Sequence, residues 1–159
     1  MKLDVALETI ILPALEFLQM DSPEARVMML AIGLQESGME ARYQVLNNGR
    51  KGAAKGLWQF EKGGGVLGVM RHRASKKQAL LACRAHGLPW EQDPIWRALE
   101  HDDILAAVFA RLFLWTDPEP LPEVGDMDGA MDLYHRVWRP GKFDPDRWPG
   151  NYAKALEAV

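Results

Sequence analysis

The sequence predicts a mainly α-helical protein. Apolar residues recur at helical spacing along most of the chain, several of these stretches open on Ser or Asp caps, and alternating strand patterns are scarce. At 159 residues, 48% hydrophobic and 26% charged, the chain suits one domain with one core, residues 1–159, and its composition fits neither disorder nor a fibrous repeat.

A first helix is expected over Leu3 to Met20, where Leu7, Ile10, Ile11, Ala14, Leu15 and Leu18 share a face and Pro13 should kink the axis. The next has a clear start. Asp21 or Ser22 can cap it, Pro23 and Glu24 suit its first turn, and Val27-Met28-Met29-Leu30-Ala31-Ile32 is apolar nearly all round, as in a buried central helix. Gly38 marks its end. From there to Lys55 the chain is polar, basic and glycine-containing, and reads as a long loop or small irregular hairpin. Gly56 to Gly68 joins Leu57-Trp58-Gln59-Phe60 to the run Gly63-Gly64-Gly65, a turn into a short helix. Ser75 with Gln78 forms a capping box for a helix to about His86, closed by Gly87 and Pro89. Asp93-Pro94 opens a short helix to about Glu100. Asp102 or Asp103 then starts a strongly apolar one, Ile104 to Trp115, whose Val108, Phe109, Leu112 and Phe113 should pack on the central helix. Beyond the Pro-rich connection Thr116 to Gly125, two last helices are expected over roughly 128–138 and 151–158.

Charge is unevenly spread. Arg42 to Arg84 holds ten Lys and Arg against the single acid Glu61, a local +9 in a chain of net charge −3, so the remainder carries −12. Such a stretch can guide binding to a polyanion or be a solvated face without a partner. With no aromatic-rich recognition motif and a pI near 5.8, it does not indicate specific nucleic-acid binding. No run is long and apolar enough for a membrane span, and a lone Lys2 followed by Asp4 and Glu8, without an A-x-A-like site, argues against a secretory signal. The one cysteine, Cys83, forms no internal disulfide and sits in an apolar helical stretch, as a buried small hydrophobe would. His72, His86, His101 and His135 show no metal-ligand spacing, so neither metal nor cofactor is expected. Gly49 to Gly56 lacks the Gly-Lys-Ser/Thr ending of a phosphate loop, and the glycines from Gly63 to Gly68 do not follow a predicted strand; both read as flexible edges of a cleft.

Glu36 stands out as a carboxylate in the last turn of the central helix, on the face of Met28, Met29, Ile32 and Gly33. Partial burial and the negative end of the helix dipole both disfavour its ionisation, which suits a general acid working near neutral pH. If catalysis needs a second carboxylate, the candidates are Glu40, Glu61 and Asp103. Glu61 is preferred among them because it closely follows the Gln59 turn and is the only acid in a basic segment, although an ion pair with Lys62 or a nearby Arg is the commoner role for such a residue. The six tryptophans could offer stacking faces to a ligand, but most suit core or rim packing.

Glu36-Ser37-Gly38, followed some twenty residues later by Gly56-Leu57-Trp58-Gln59-Phe60, resembles the soluble lytic transglycosylase and goose-type lysozyme superfamily. Asp103-Ile104-Leu105-Ala106-Ala107 through Leu112 is similar to its Asn-Ile-x-x-Gly helix, and Ala130-Met131-Asp132-Leu133-Tyr134 with Arg139-Pro140-Gly141 to its Ala-x-x-x-Tyr-Asn-x-Gly segment. The blocks keep family order across about 70% of the chain. Gly-Leu-Trp-Gln-Phe-Glu also looks like versions found in phage-encoded wall-degrading proteins. Asp103 and His135 stand where the family carries Asn, which affects contacts made by those amides but not the acid.

The resemblance implies a lysozyme-like domain acting on peptidoglycan glycan strands, with Glu36 as catalytic acid and then base. Ser37 would hydrogen-bond Glu36 or a sugar, Gln59 would hold a sugar amide, Trp58 would lie beside the cleft, and Tyr134 would position Glu36. A phage origin would put the protein in the host cytoplasm before release to the wall, or in the virion beside other virion proteins. There it could also serve as a structural tail component with weak or lost activity.

Overall fold

The computed structural model describes residues 1–159 and is mainly α-helical, with one three-stranded antiparallel sheet. Helix α1 (Leu3–Ala6) runs through a π-helical turn, Leu7–Ile11, into α2 (Leu12–Leu18). The irregularity expected at Pro13 takes this form for a steric reason. Proline has no N–H and its ring crowds the carbonyl four residues back, here Thr9, which lies inside the widened turn.

Helix α3 (Pro23–Ser37) starts where Ser22 Oγ accepts the Ala25 N–H at 3.1 Å and ends on Gly38 at φ 65°. It is buried on every side from Val27 to Gln35 and forms the centre of the core. Its principal neighbour is α9 (Trp148–Ala158), which begins three residues earlier than the sequence suggests because Trp148 and Pro149 form its first turn. Helix α7 (Asp103–Trp115) also touches α3, but packs mainly on α2 and on α5 (Lys76–Ala85). Asp102 caps α7 by accepting the Leu105 N–H at 2.9 Å, and Asp126 likewise caps α8 (Met127–Trp138) through the Gly129 N–H at 2.9 Å.

The stretch after Gly38 forms a hairpin. β1 (Tyr43–Val45) pairs with β2 (Lys51–Lys55), which pairs with β3 (Phe60–Glu61). The glycine run therefore does follow a strand, contrary to the sequence reading, but it winds into a second π-helical turn, Lys62–Val66, leading into α4 (Leu67–Arg71). Helix α6 (Gln92–Ala98) packs on this π-helical turn, and its Trp96 indole N–H reaches the Ala53 and Phe60 carbonyls of β2 and β3. One sequence expectation fails at α5: Ser75 makes no side-chain cap. Its hydroxyl is fully buried and donates to the Val69 carbonyl at 2.7 Å, tying α4 to α5. No helix is long and apolar enough to cross a membrane.

The turn Gly56 to Gln59 joins β2 to β3, and its first residue must be glycine. Gly56 has φ 79°, and a Cβ there would lie 2.6 Å from the Leu99 carbonyl oxygen. Gly56→Ala should therefore destabilise the protein by about 2 kcal/mol or more, read as a lower urea midpoint with an unchanged slope. A midpoint within error of wild type would show that the turn tolerates a side chain.

Candidate active site

The central helix delivers Glu36 to the wall of a cleft of about 1130 Å³. Because α3 is apolar nearly all round, its last turn emerges from the core with the carboxyl still partly buried, and burial raises the Glu36 pKa to about 7. Tyr134, from α8, donates its hydroxyl to Glu36 Oε1 at 2.5 Å. That bond favours the carboxylate and opposes the shift, but desolvation outweighs it. Burial and the adjacent carboxylate in turn raise the Tyr134 pKa, so the phenol stays a donor. Its ring is fixed by stacking on Trp148 of α9, with centroids 5.2 Å apart and planes 9° apart.

Ser37 does not bond Glu36. Its Oγ lies 2.6 Å from the Leu57 carbonyl and 3.1 Å from that of Gly33, so its single proton ties the end of α3 to the Gly56 to Gln59 turn. Trp58 is a second correction. Far from offering a face to the cleft, it is fully buried, with its indole N–H donating to the Met29 carbonyl at 2.9 Å. Gly33 makes room for this: a Cβ there would meet Met39 and the Trp58 ring nitrogen. Phe113 and Trp138, with centroids 4.9 Å apart, line the cleft together with Phe60 and Tyr134, and the Trp138 N–H holds the Trp58 carbonyl at 3.1 Å.

Gln59 lies on the cleft wall in a left-handed conformation, φ 52°, with its amide nitrogen 3.0 Å from the Gly56 carbonyl. That leaves its side-chain oxygen free of any protein donor. A left-handed glutamine is a strained choice that a loop seldom carries without a reason. Glu61 also lines the cleft and is exposed. Asp103 does not: it is held by Arg42 in a two-pronged ion pair of 2.9 and 2.7 Å at the start of α7, away from the cleft lining, so it is no second carboxylate here. Glu40 is exposed and pairs with the N-terminal amine.

The cleft contains acids that sequence reading did not single out, Asp117 and Asp144. Asp117 is clasped by Arg136 at 3.1 Å, which lowers its pKa. The cleft's basic side chains, Arg136, Arg139, Lys142 and Arg147, all come from the segment after Tyr134, and none of the ten from Arg42 to Arg84 lines it. Four of those ten are instead neutralised: Arg42 by Asp103, Lys51 and Lys55 by Glu100, and Lys62 by Asp93. The basic stretch is thus partly a folding device, binding the hairpin to α6 and α7. The only signal for the cleft's basic wall was its position beside the Arg139-Pro140-Gly141 block.

Comparison of the chain with protein-family models, with curated proteins and with solved structures returned no match.

The raised Glu36 pKa has a consequence for stability. The native state favours the protonated carboxyl, so the stabilisation is complete below the ordinary value of 4.5 and is lost as pH rises through about 7. Glu36→Gln never ionises and escapes that loss. Its stability relative to wild type should therefore grow by up to about 3 kcal/mol between about pH 5 and about pH 8.5, measured by urea unfolding. A pH-independent difference would mean that Glu36 titrates normally.

Proposed function

We propose that this protein cleaves the β-1,4 bond between N-acetylmuramic acid and N-acetylglucosamine in bacterial peptidoglycan, as a lytic transglycosylase with a lysozyme-like fold. The observation that carries the proposal is the single carboxyl held partly protonated near neutrality, fixed by a tyrosine on the wall of a cleft large enough for several sugar units. The Glu-Ser-Gly and Gly-Leu-Trp-Gln blocks, which resemble the lytic transglycosylase superfamily, meet at that point through the Ser37 to Leu57 bond.

In the first half-reaction Glu36 gives its proton to the glycosidic oxygen, the C1–O bond breaks, and positive charge develops at C1 of the muramic residue. Glu36, now a carboxylate stabilised by the Tyr134 hydroxyl, takes the proton of the same residue's 6-hydroxyl as O6 bonds to C1. The acid is regenerated and no water is consumed. Delivery of the nucleophile within the substrate replaces a bound, activated water, which favours this route on grounds of proximity. The free oxygen of Gln59 is available to accept from a sugar amide N–H, and Phe113 and Trp138 offer apolar faces to the sugar rings. The phage-like wording of the Gln59 turn suggests a wall-degrading protein of a bacteriophage, released at lysis or carried in the virion.

A hydrolytic reading has one specific observation in its favour: Glu61 shares the cleft and has no ion-pair partner. It could activate a water as the second carboxylate. Mass spectrometry of fragments released from purified sacculi separates the two. Transglycosylation gives 1,6-anhydro-N-acetylmuramic acid ends, lighter by one water than the reducing ends of hydrolysis. Glu36→Gln should abolish release, whereas Glu61→Gln and Asp103→Asn should keep most of it. Reducing ends together with an inactive Glu61→Gln would establish the hydrolase. No release by wild type would leave a structural component of the particle.

Arg50, Arg71, Arg73, Lys76, Lys77 and Arg84 take part in no ion pair and remain available to anionic wall polymers. Sacculus binding by the inactive Glu36→Gln protein should weaken steadily as salt is raised, and further when Lys76 and Lys77 are neutralised. A flat salt response would leave these side chains only a solvating role.

A further inference from the structure

A second pocket, of about 640 Å³, lies between the start of α3, the end of α7 and the proline-rich loop that follows it. Its size is in the range of small-ligand sites. Arg111 lines it from α7. The residue is 5% exposed, its Nε and Nη1 have no hydrogen-bond partner, and no carboxylate forms an ion pair with it. Burial lowers its pKa only to about 10, so it is cationic at neutral pH. The Trp115 ring, 5.5 Å from the guanidinium carbon, compensates a part of the cost of burying that charge, but supplies no acceptor for its N–H groups.

The same pocket carries Glu24, Glu119 and Glu123, none of which has an ion-pair partner, while its Asp117 is committed to Arg136. A simple anion would meet Arg111 but be repelled by three carboxylates. A simple cation would suit the carboxylates but face the buried guanidinium. A group carrying both charges on adjacent atoms satisfies both, with carboxylate oxygens on the guanidinium fork and an ammonium toward the acids.

We propose that this pocket binds a zwitterionic α-amino acid group, with its carboxylate on Arg111 and its ammonium facing Glu24, Glu119 and Glu123. Resting on the proposed function, the occupant is the side-chain end of a diaminopimelate residue in an uncrosslinked peptidoglycan stem peptide, which carries a free ammonium and a free carboxylate on one carbon. Asp117 and Pro118 border both this pocket and the cleft of Glu36, so a peptide branching from a glycan in the cleft has a short path to it.

Calorimetric titration of the whole protein with meso-diaminopimelate, pimelate and 1,5-diaminopentane tests the charge requirement. Diaminopimelate should bind one to one, and the other two, each lacking one kind of charge, roughly tenfold or more weaker. Arg111→Met should lose diaminopimelate binding by a similar factor. Its melting temperature should not fall, since the change removes a buried charge that Trp115 compensates only in part. The exposed pair Glu119→Gln/Glu123→Gln, which does not threaten folding and leaves Glu24 in place, should weaken diaminopimelate binding several-fold toward that of pimelate. No binding by wild type, equal affinity for pimelate, or undiminished binding by folded Arg111→Met would each overturn the proposal. Glu36→Gln should bind diaminopimelate as wild type does, and failure of the glycan-cleavage reading is seen separately: diaminopimelate binding by wild-type protein that leaves sacculi uncut would overturn only the stem-peptide assignment.

Discussion

The hydrogen bond from Tyr134 to Glu36 joins two helices far apart in the chain, and it exists only because the core brings them together in one orientation. Glu36 sits where α3 leaves the interior, and Tyr134 sits where α8 is pinned by Trp148 of α9. The two effects on the carboxyl oppose each other. Desolvation favours the neutral acid, the phenol favours the anion, and the balance leaves a group that can both give and take a proton near neutrality. A reaction in which one residue acts as acid and then as base needs such a balance, since a carboxyl strongly committed to either form would be slow in the other half.

The packing around this pair serves to hold it. Trp58 fills the space beside Gly33 and bonds the α3 backbone, Ser37 ties the last turn of α3 to the Gly56 turn, and Trp138 bonds the Trp58 carbonyl. The Gln35 and Asn151 side chains bond at 2.8 Å in the interior one residue before Glu36, locking α9 against α3. Movement of Glu36 is thus resisted from the turn, from α8 and from α9. The hairpin is held by buried Glu100, whose pKa is pulled down to about 2 by Lys51 and Lys55.

Much of this was legible in the chain. Ser22, Gly38 and Asp102 act locally, through backbone groups a few residues away, so helix starts and stops followed from the sequence. Glu36 was visible because a charged residue interrupts an otherwise apolar helix. What failed depended on long-range geometry. Trp58 lies in a motif next to the cleft, but only the tertiary structure shows that its ring turns inward to Met29. Asp103 and the basic stretch carry charges whose partners lie tens of residues away, so their neutralisation could not be read from local patterning. Ser75 has the spacing of a cap, yet burial gives its hydroxyl a different acceptor. Arg111 reads as one residue of an apolar helix, and nothing local shows that it is buried without a partner.

If one buried carboxyl, tuned by a tyrosine, governs the proposed cleavage, its titration should appear in the pH dependence of kcat/KM on soluble glycan fragments. Glu36 must be protonated to begin the reaction, so activity should fall as pH rises through about 7. Removing the phenol in Tyr134→Phe takes away the interaction that favours the anion, so the surviving activity should show that limb at higher pH. An alkaline limb that stays in place in Tyr134→Phe, or a wild-type rate that holds level well above pH 7, would contradict the account.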